Sequence, residues 1–335
     1  VPSPFTPDFQ VDTKPNSLTG LAAIDPRPSP KNVAVLMCTY NGQRFLAEQL
    51  ESIERQSHES WVVAVSDDGS TDNTLEIIES FRERWGHEKI IAFQGPKRGF
   101  ATNFLTLACK QSLHADFFAW ADQDDIWLEN KLETAVSWLQ TIPSETPALY
   151  CGRTQGVDTH GHPLECSPLF KRPPAFANAL VQSLAGGNTM VFNEAARQLM
   201  ANAGENMDIV SHDWWAYLLI TGAGGKVSYD PMPSVLYRQH EDNLVGSNSG
   251  WKARLLRLRM MLKGRFSAWN EQNLHCLSSV GNLLTPENQR TLESFKFARK
   301  SNLVGRLLGL HRAGVYRQTT PGNIGLFFAA IMKGI

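Results

Sequence analysis

Residues 122–125 read Asp-Gln-Asp-Asp and follow directly on an apolar run that begins at Phe117. Carboxylates gathered at the end of a buried strand repel one another and lose hydration, so a positive partner is expected among them. Alternate residues of an extended chain fall on one side, which lets Asp122 and Asp124 share one hard divalent ion, Mg²⁺ or Mn²⁺. Such an ion fills its other positions with water and substrate phosphates, and a diphosphate is the natural ligand. Taken alone, the same residues better suit a solvated turn in which Asp125 caps the following helix, and only their context favours the ion.

Other polar clusters invite the same two-sided reading. In SDDGSTD (66–72), Asp67 or Asp68 can accept hydrogen bonds from a nucleobase imide or ribose hydroxyls, while Asp72 suits a helix cap. Asp213 in SHDWW (211–215) stands at a predicted helix start, as a cap or as a general base. His240 in YRQHEDN (237–243) can complete a metal shell or bridge two loops. The first apolar run leads into TYNG (39–42), where a dinucleotide-binding fold would need a glycine-rich GxGxxG turn, and this excludes a nicotinamide dehydrogenase.

The elements that must position these clusters follow from periodicity. VAVLMC (33–38), WVVAVS (61–66), IIAF (90–93) and FFAW (117–120) read as strands, and helices are predicted over 43–56, 72–85, 100–113 and 128–139. Strand-helix repetition predicts an α/β fold with a mostly parallel sheet, and TYNG, DDGSTD and DQDD all fall beyond strand carboxyl ends, where such sheets collect reactive groups. After Pro147 the alternation loosens into short strands (ALYC, TMVF, PSVLYR) and helices near 193–203 and 212–221. The organisation expected is a lead-in over 1–31, extended or disordered and proline-rich, a nucleotide-binding half over 32–147, an acceptor-binding half over 148–250 and a helical region over 251–335.

At 335 residues, 42% hydrophobic and a net charge of −1, the chain can bury a core and lacks the basic excess of a nucleic-acid binder. Its five cysteines are scattered, with no CxxC pair; Cys38 and Cys109 read as small core residues, and a reducing compartment fits. No apolar run reaches the length of a membrane span and no signal peptide is evident, although a chain opening on Val leaves room for a trimmed start.

In this order, TYNG, SDDGSTD, KRGFATNF, ADQDDIW, GGNTMVF, HDWW and YRQHEDN resemble the family 2 glycosyltransferases, most of all their bacterial rhamnosyltransferase branch. The resemblance covers about residues 32–250 and implies a GT-A fold and inverting, Mg²⁺- or Mn²⁺-dependent transfer from a nucleotide sugar. It implies that Thr39 and Tyr40, with Asn41, flank the nucleobase, that Asp67 contacts the base and Asp68 the ribose region, and that Arg98 and Asn103 line the nucleotide side. Asp124 would touch the metal, joined by His240, while Asp122 reaches ribose or metal-bound water; Gln123 and Trp127 would border the donor, Trp127 as a wall of the sugar site. Asp213 matches the catalytic base, and Gly187, Asn188, His212 and Trp214 would border the acceptor or transferred sugar. The branch favours dTDP-L-rhamnose as donor, with UDP-hexoses the alternative, and a hydroxyl of a cell-surface polysaccharide or lipid-linked glycan as acceptor. A sugar nucleotidyltransferase would carry a glycine-rich basic loop after the first strand, which is absent, and a non-catalytic nucleotide-sugar binder would lack a base at Asp213.

The region after 250 opens with WKARLLRLRMMLKGRF (251–266), six basic residues and no acidic one, and ends in the apolar GLFFAAIMKGI (325–335). The basic residues do not gather on one helical face, which suits a solvated helix as well as a membrane-binding one. Together the two stretches predict a cytoplasmic protein with peripheral contact at the inner face of a bacterial membrane.

Overall fold

The computed structural model describes residues 31–240 and 265–335. The proline-rich lead-in and nearly all of the basic stretch over 251–266 lie outside the described residues, as does the end of YRQHEDN.

Strands β1 (Val33–Thr39), β2 (Trp61–Asp67), β3 (Ile90–Gln94) and β4 (Phe117–Ala121) alternate with helices α1 (Leu46–Glu54), α2 (Thr74–Trp85) and α3 (Phe100–Ala108). β5 (Ile126–Trp127) and α4 (Lys131–Leu139) come next, then β6 (Ala148–Val157), β7 (Pro163–Cys166), α5 (Phe176–Ala179) and β8 (Val191–Asn193). The sequence continues through α6 (Glu194–Ala203), α7 (His212–Gly222) and β9 (Lys226–Arg238). Helices α8 (Arg265–Ser279), α9 (Pro286–Lys300), α10 (Leu303–Ala313) and α11 (Thr320–Ile331) close the chain, as the expected helical extension.

One sheet runs β3-β2-β1-β4-β8-β6-β9-β5, with β7 paired to β6. Its first four strands are parallel, because each returns through a helix that packs back on the sheet. β8 then runs antiparallel to both β4 and β6, while β9 runs parallel to β6. The two halves expected from sequence therefore share a continuous sheet.

Alternation along β1 shows why this sheet is buried on both faces. Ala34, Leu36 and Cys38 join one apolar cluster, with residues of α3, α5, α6, α7 and the C-terminal helices. Val33, Val35 and Met37 join another, with residues of α1, α2 and α4. Such two-sided burial produces the near-continuous apolar runs visible in the sequence. Cys38, Cys151 and Cys276 are buried, Cys109 is half-buried and Cys166 is exposed, all as free thiols. Among the described residues no helix is long and apolar enough to cross a membrane.

Helix α4 starts three residues later than periodicity predicts. Leu128 N–H donates to Ser234 O (3.0 Å), prolonging the short β5–β9 ladder before the helix can begin. That ladder pairs Ile126 with Leu236 and Trp127 with Val235, so the acidic loop lies beside the end of β9.

Candidate functional site

The β1, β2 and β4 ends present their loops at one edge, and hydrogen bonds lace those loops together. Asn41 occupies the left-handed region (φ 49°), where Asn is tolerated, and its Oδ1 accepts from Thr71 N (2.9 Å) while its own N–H donates to Ser70 Oγ (2.9 Å). Gly42 N donates to Thr74 Oγ1 (2.7 Å), and Gln43 N to Asp72 Oδ2 (3.1 Å). Asp72 Oδ1 also accepts from Thr74 N (3.1 Å), but the N-cap position of α2 is Asn73, one residue after the expected cap. From the acidic loop, Gln123 Oε1 accepts from Tyr40 N (2.9 Å) and Gln123 Nε2 donates to Tyr40 O (3.0 Å). Gln123 is thus a strut between loops, and Tyr40 itself is 59% exposed.

The two aspartates that end β2 have different tasks. Asp67 is buried and accepts from Thr39 Oγ1 (2.8 Å), Ser70 Oγ (2.5 Å), Ser70 N (2.8 Å) and Gly69 N (3.0 Å). Burial pushes its pKa up, but these bonds, led by Ser70, outweigh it and hold the carboxyl below the usual range. Asp68 accepts from Lys97 N (2.6 Å) and Gly99 N (3.1 Å), tying the KRG loop to β2 and bringing Arg98, whose Nη1 meets Asn206 Oδ1 at 3.4 Å, to the same rim.

The acidic loop is the electrostatic centre. Asp122 is raised well above the ordinary carboxylate range, first by burial and then by Asp125, Asp124 and Asp213, which places Asp213 in the field of the same pocket. Burial, then the charges of Asp122 and Asp68, raises the Cys38 thiol at the end of β1. His240 Nε2 stands 2.8 Å from Asp124 Oδ2. Arg238, two residues earlier, fixes this arm: its Nη2 donates to Glu48 Oε2 (2.5 Å), its Nε to Asp124 O (3.2 Å), and its guanidinium lies 4.5 Å over the Phe45 ring.

Asp125 is fully buried and is not the expected helix cap, since α4 begins at Lys131. It accepts from Asn188 Nδ2 (2.5 Å) and Arg238 N (3.3 Å), joining the acidic loop to the 3-10 turn Gly187–Thr189 and to β9. Burial, then the neighbouring Asp124, raises its pKa. Lys131, 1% exposed, faces it electrostatically; burial lowers the ammonium pKa, and Nζ sits 3.5 Å over the Trp127 ring.

Asp213 is the second residue of α7, with Oδ1 accepting from Ser211 Oγ and from Trp214 N (2.6 Å). Among the described residues its Oδ2 makes no hydrogen bond. Beside it His212 is buried in an aromatic box, stacked on Phe104 (centroids 4.0 Å, 23°) and edge-on to Trp120 (4.6 Å). Neither ring nitrogen has a hydrogen-bond partner, and burial, partly offset by Asp213, holds the pKa down at about 4, so the imidazole is neutral. A Cβ on Gly187 would meet His212 Nε2 at 2.2 Å, which explains the glycine there.

Several residues expected to face ligand point inward. Trp127 lies in the core over Lys131 and does not wall a cleft, because β5 pairing turns it under the sheet. Trp214 is buried and donates Nε1–H to Ala179 O (2.7 Å), anchoring α5. Asn103 is buried with both amide atoms bonded to Ser66, accepting from Oγ (2.6 Å) and donating to O (3.0 Å), and Thr39 is buried against Asp67. Sequence reading passed over Arg238, Glu48 and Lys131; the Arg two places before His240 was the available signal.

Among the described residues no group of three or more His, Cys, Asp or Glu is placed to hold a metal ion. The donors present still suit an ion shared with a substrate. The 2.8 Å between Asp124 Oδ2 and His240 Nε2 is a hydrogen-bond distance that a shared divalent ion would replace, and such an ion would offset the neighbouring carboxylates that add to burial in raising Asp122.

A sequence model of glycosyl transferase family 2 matches residues 34–200. The chain is 31% identical over 233 residues to dTDP-rhamnosyl transferase RfbG of Shigella flexneri, covering 67% of this chain and 78% of that protein. Among solved structures, S. aureus TarS 1-349 in complex with UDP aligns with a TM-score of 0.51 at 15% identity, over 90% of each chain. GalNAc-T7 with UDP, GalNAc and Mn²⁺ aligns with a TM-score of 0.53 at 10% identity, over 91% of this chain and 57% of that one. At such identities the structural matches speak for the fold alone.

Proposed function

Because the chain belongs to glycosyl transferase family 2 and is therefore a glycosyltransferase with the GT-A fold, we propose that it moves L-rhamnose from dTDP-L-rhamnose to a hydroxyl of a growing cell-surface polysaccharide or lipid-linked glycan. The observation that carries the reading is the meeting of Asp124 and His240 at 2.8 Å in the pocket whose field Asp213 shares. The likeness to a dTDP-rhamnosyl transferase supports the donor.

In this reading Tyr40, Asp68 and Arg98 receive the nucleotide on a floor that Thr39, Asn41, Asp67, Asn103 and Gln123 hold in shape. Asp124 and His240 would hold a divalent ion, Mg²⁺ or Mn²⁺, with Asp122 beside them. When bound, that ion supplies positive charge against the departing diphosphate. The acceptor hydroxyl attacks the anomeric carbon as the nucleoside diphosphate leaves from the opposite face, which inverts the centre. Asp213 takes the hydroxyl proton through Oδ2, the oxygen left open by Ser211 and Trp214. Gly187 and Asn188 border the sugar, and His212 seats the turn beneath them.

Calorimetric titration with dTDP and with UDP, each with and without Mn²⁺, tests this. Mn²⁺ should tighten dTDP binding at least about tenfold in the parent and not in Asp124→Ala or His240→Ala. Equal affinity with and without the ion overturns the assignment of Asp124 and His240; transfer from UDP-hexoses but not dTDP-L-rhamnose overturns the donor.

A further inference from the structure

Helix α11 packs through Leu326, Ala329 and Ala330 and turns its opposite side outward. On that side Ile324 (53% exposed), Phe327 (51%), Phe328 (53%) and Ile331 (42%) follow i, i+3, i+4, i+7 spacing, an apolar stripe along a helix roughly 18 Å long. Met332 extends it, and Val304 and Leu308 on α10 are exposed one helical turn apart. Four large apolar side chains in one exposed row are not the scattered exposure ordinary for a soluble surface.

The exposed charge of α10 and of the residues just after α11 is basic, while on α9 Lys296 and Arg299 are paired with Glu293 (2.8 Å) and with Glu271 of α8 (2.6 Å). From Ser294 to Ile335 the sequence contains seven Lys or Arg and no Asp or Glu. Of these, Lys300, Arg312 and Lys333 are exposed. Arg306 is buried and works structurally: Nη1 donates to Ala330 O (2.6 Å) and Nη2 to Ser301 O (2.8 Å), so α10 and the end of α11 are fixed to each other. The apolar stripe is thus presented on a folded support with cations near it.

We propose that the α11 stripe is a docking face for an anionic lipid bilayer, with Phe327 and Phe328 entering the headgroup–acyl boundary and Lys300, Arg312 and Lys333 meeting anionic headgroups. The charge decides between occupants. A second copy of this chain would set Lys300, Arg312 and Lys333 against their own counterparts, whereas anionic lipid complements them, each basic residue near the surface adding about fivefold to binding. The proposal goes beyond the donor and acceptor reading and does not depend on it.

The test is sedimentation of the full chain with phosphatidylcholine vesicles, with and without about one-third phosphatidylglycerol. The parent should pellet with the anionic vesicles at low salt, be released as salt rises, and remain in the supernatant with phosphatidylcholine alone. Phe327→Ser/Phe328→Ser should weaken that partitioning by at least about tenfold while leaving the urea midpoint and dTDP binding unchanged, since both rings are exposed. A parent that never pellets, or a double variant that pellets like the parent, overturns the proposal. So does a lowered urea midpoint, which would mean the stripe is covered by the chain itself, or a concentration-dependent dimer that the variant abolishes.

Discussion

Gly187→Ala puts the packing of the acceptor side to a quantitative test. The added methyl would lie 2.2 Å from His212 Nε2, whereas ordinary contacts begin near 3.4 Å, so the ring must retreat by more than 1 Å. It has nowhere to go: Phe104 is stacked on it at 4.0 Å and Trp120 abuts it at 4.6 Å. Overpacking of this kind costs about 1–3 kcal/mol, and the wedged ring argues for the upper end. Since Asp213 is the next residue of α7, a displacement of that size should also lower transfer by about a hundredfold. His212→Ala alone removes an aromatic-sized group and should cost about 3 kcal/mol. In the double variant the methyl enters space the ring has vacated, so its cost should match His212→Ala alone, a coupling of about 3 kcal/mol, the whole cost of Gly187→Ala. Urea denaturation of the four proteins measures the cycle. Strict additivity, or a Gly187→Ala variant as stable as the parent, would refute the contact as the reason for the glycine.

Two further outcomes are expected. His212 holds its proton less readily folded, at about 4, than at its ordinary 6.5, so the unfolded chain gains protons first as pH falls; its contribution is complete above pH 6.5 and is lost on acidification toward 4, by up to about 1.4 kcal/mol per pH unit. His212→Phe should lack that part of the pH dependence in urea melts, and an unchanged slope would count against a buried neutral imidazole. Asp213→Asn should lower transfer by about 10²–10⁴ while calorimetric dTDP affinity stays within about twofold; near-normal turnover in a folded variant would remove Asp213 as the base.

The parallel half was legible in sequence because burial on both faces writes itself as unbroken apolar runs, as in VAVLMC and FFAW. β5 was not, since a two-residue strand exists only through its pairing with residues 235–236. Asp125 shows the same limit: its distance from the next helix suggested a cap, yet the β5–β9 ladder buries it against Asn188 and Arg238. Periodicity placed Thr39, Trp127 and Trp214 near the right strand and helix ends, but which way a side chain turns there is set by the loop and by its tertiary partners. The pairing of Asp124 with His240 joins two motifs far apart in sequence, while the Arg238 brace that aims His240 appears only once β9 lies beside α1.

The lacing of the three strand-end loops has a thermodynamic consequence. With Tyr40 pinned by Gln123, Asn41 by Ser70 and Thr71, and Gly42 by Thr74, this backbone is preorganised, and if the proposed nucleotide site lies here little conformational entropy remains to be lost on association. Choice among nucleotides then falls to the side chains projecting from that rigid floor, above all the exposed Tyr40 and the Lys97–Arg98 rim.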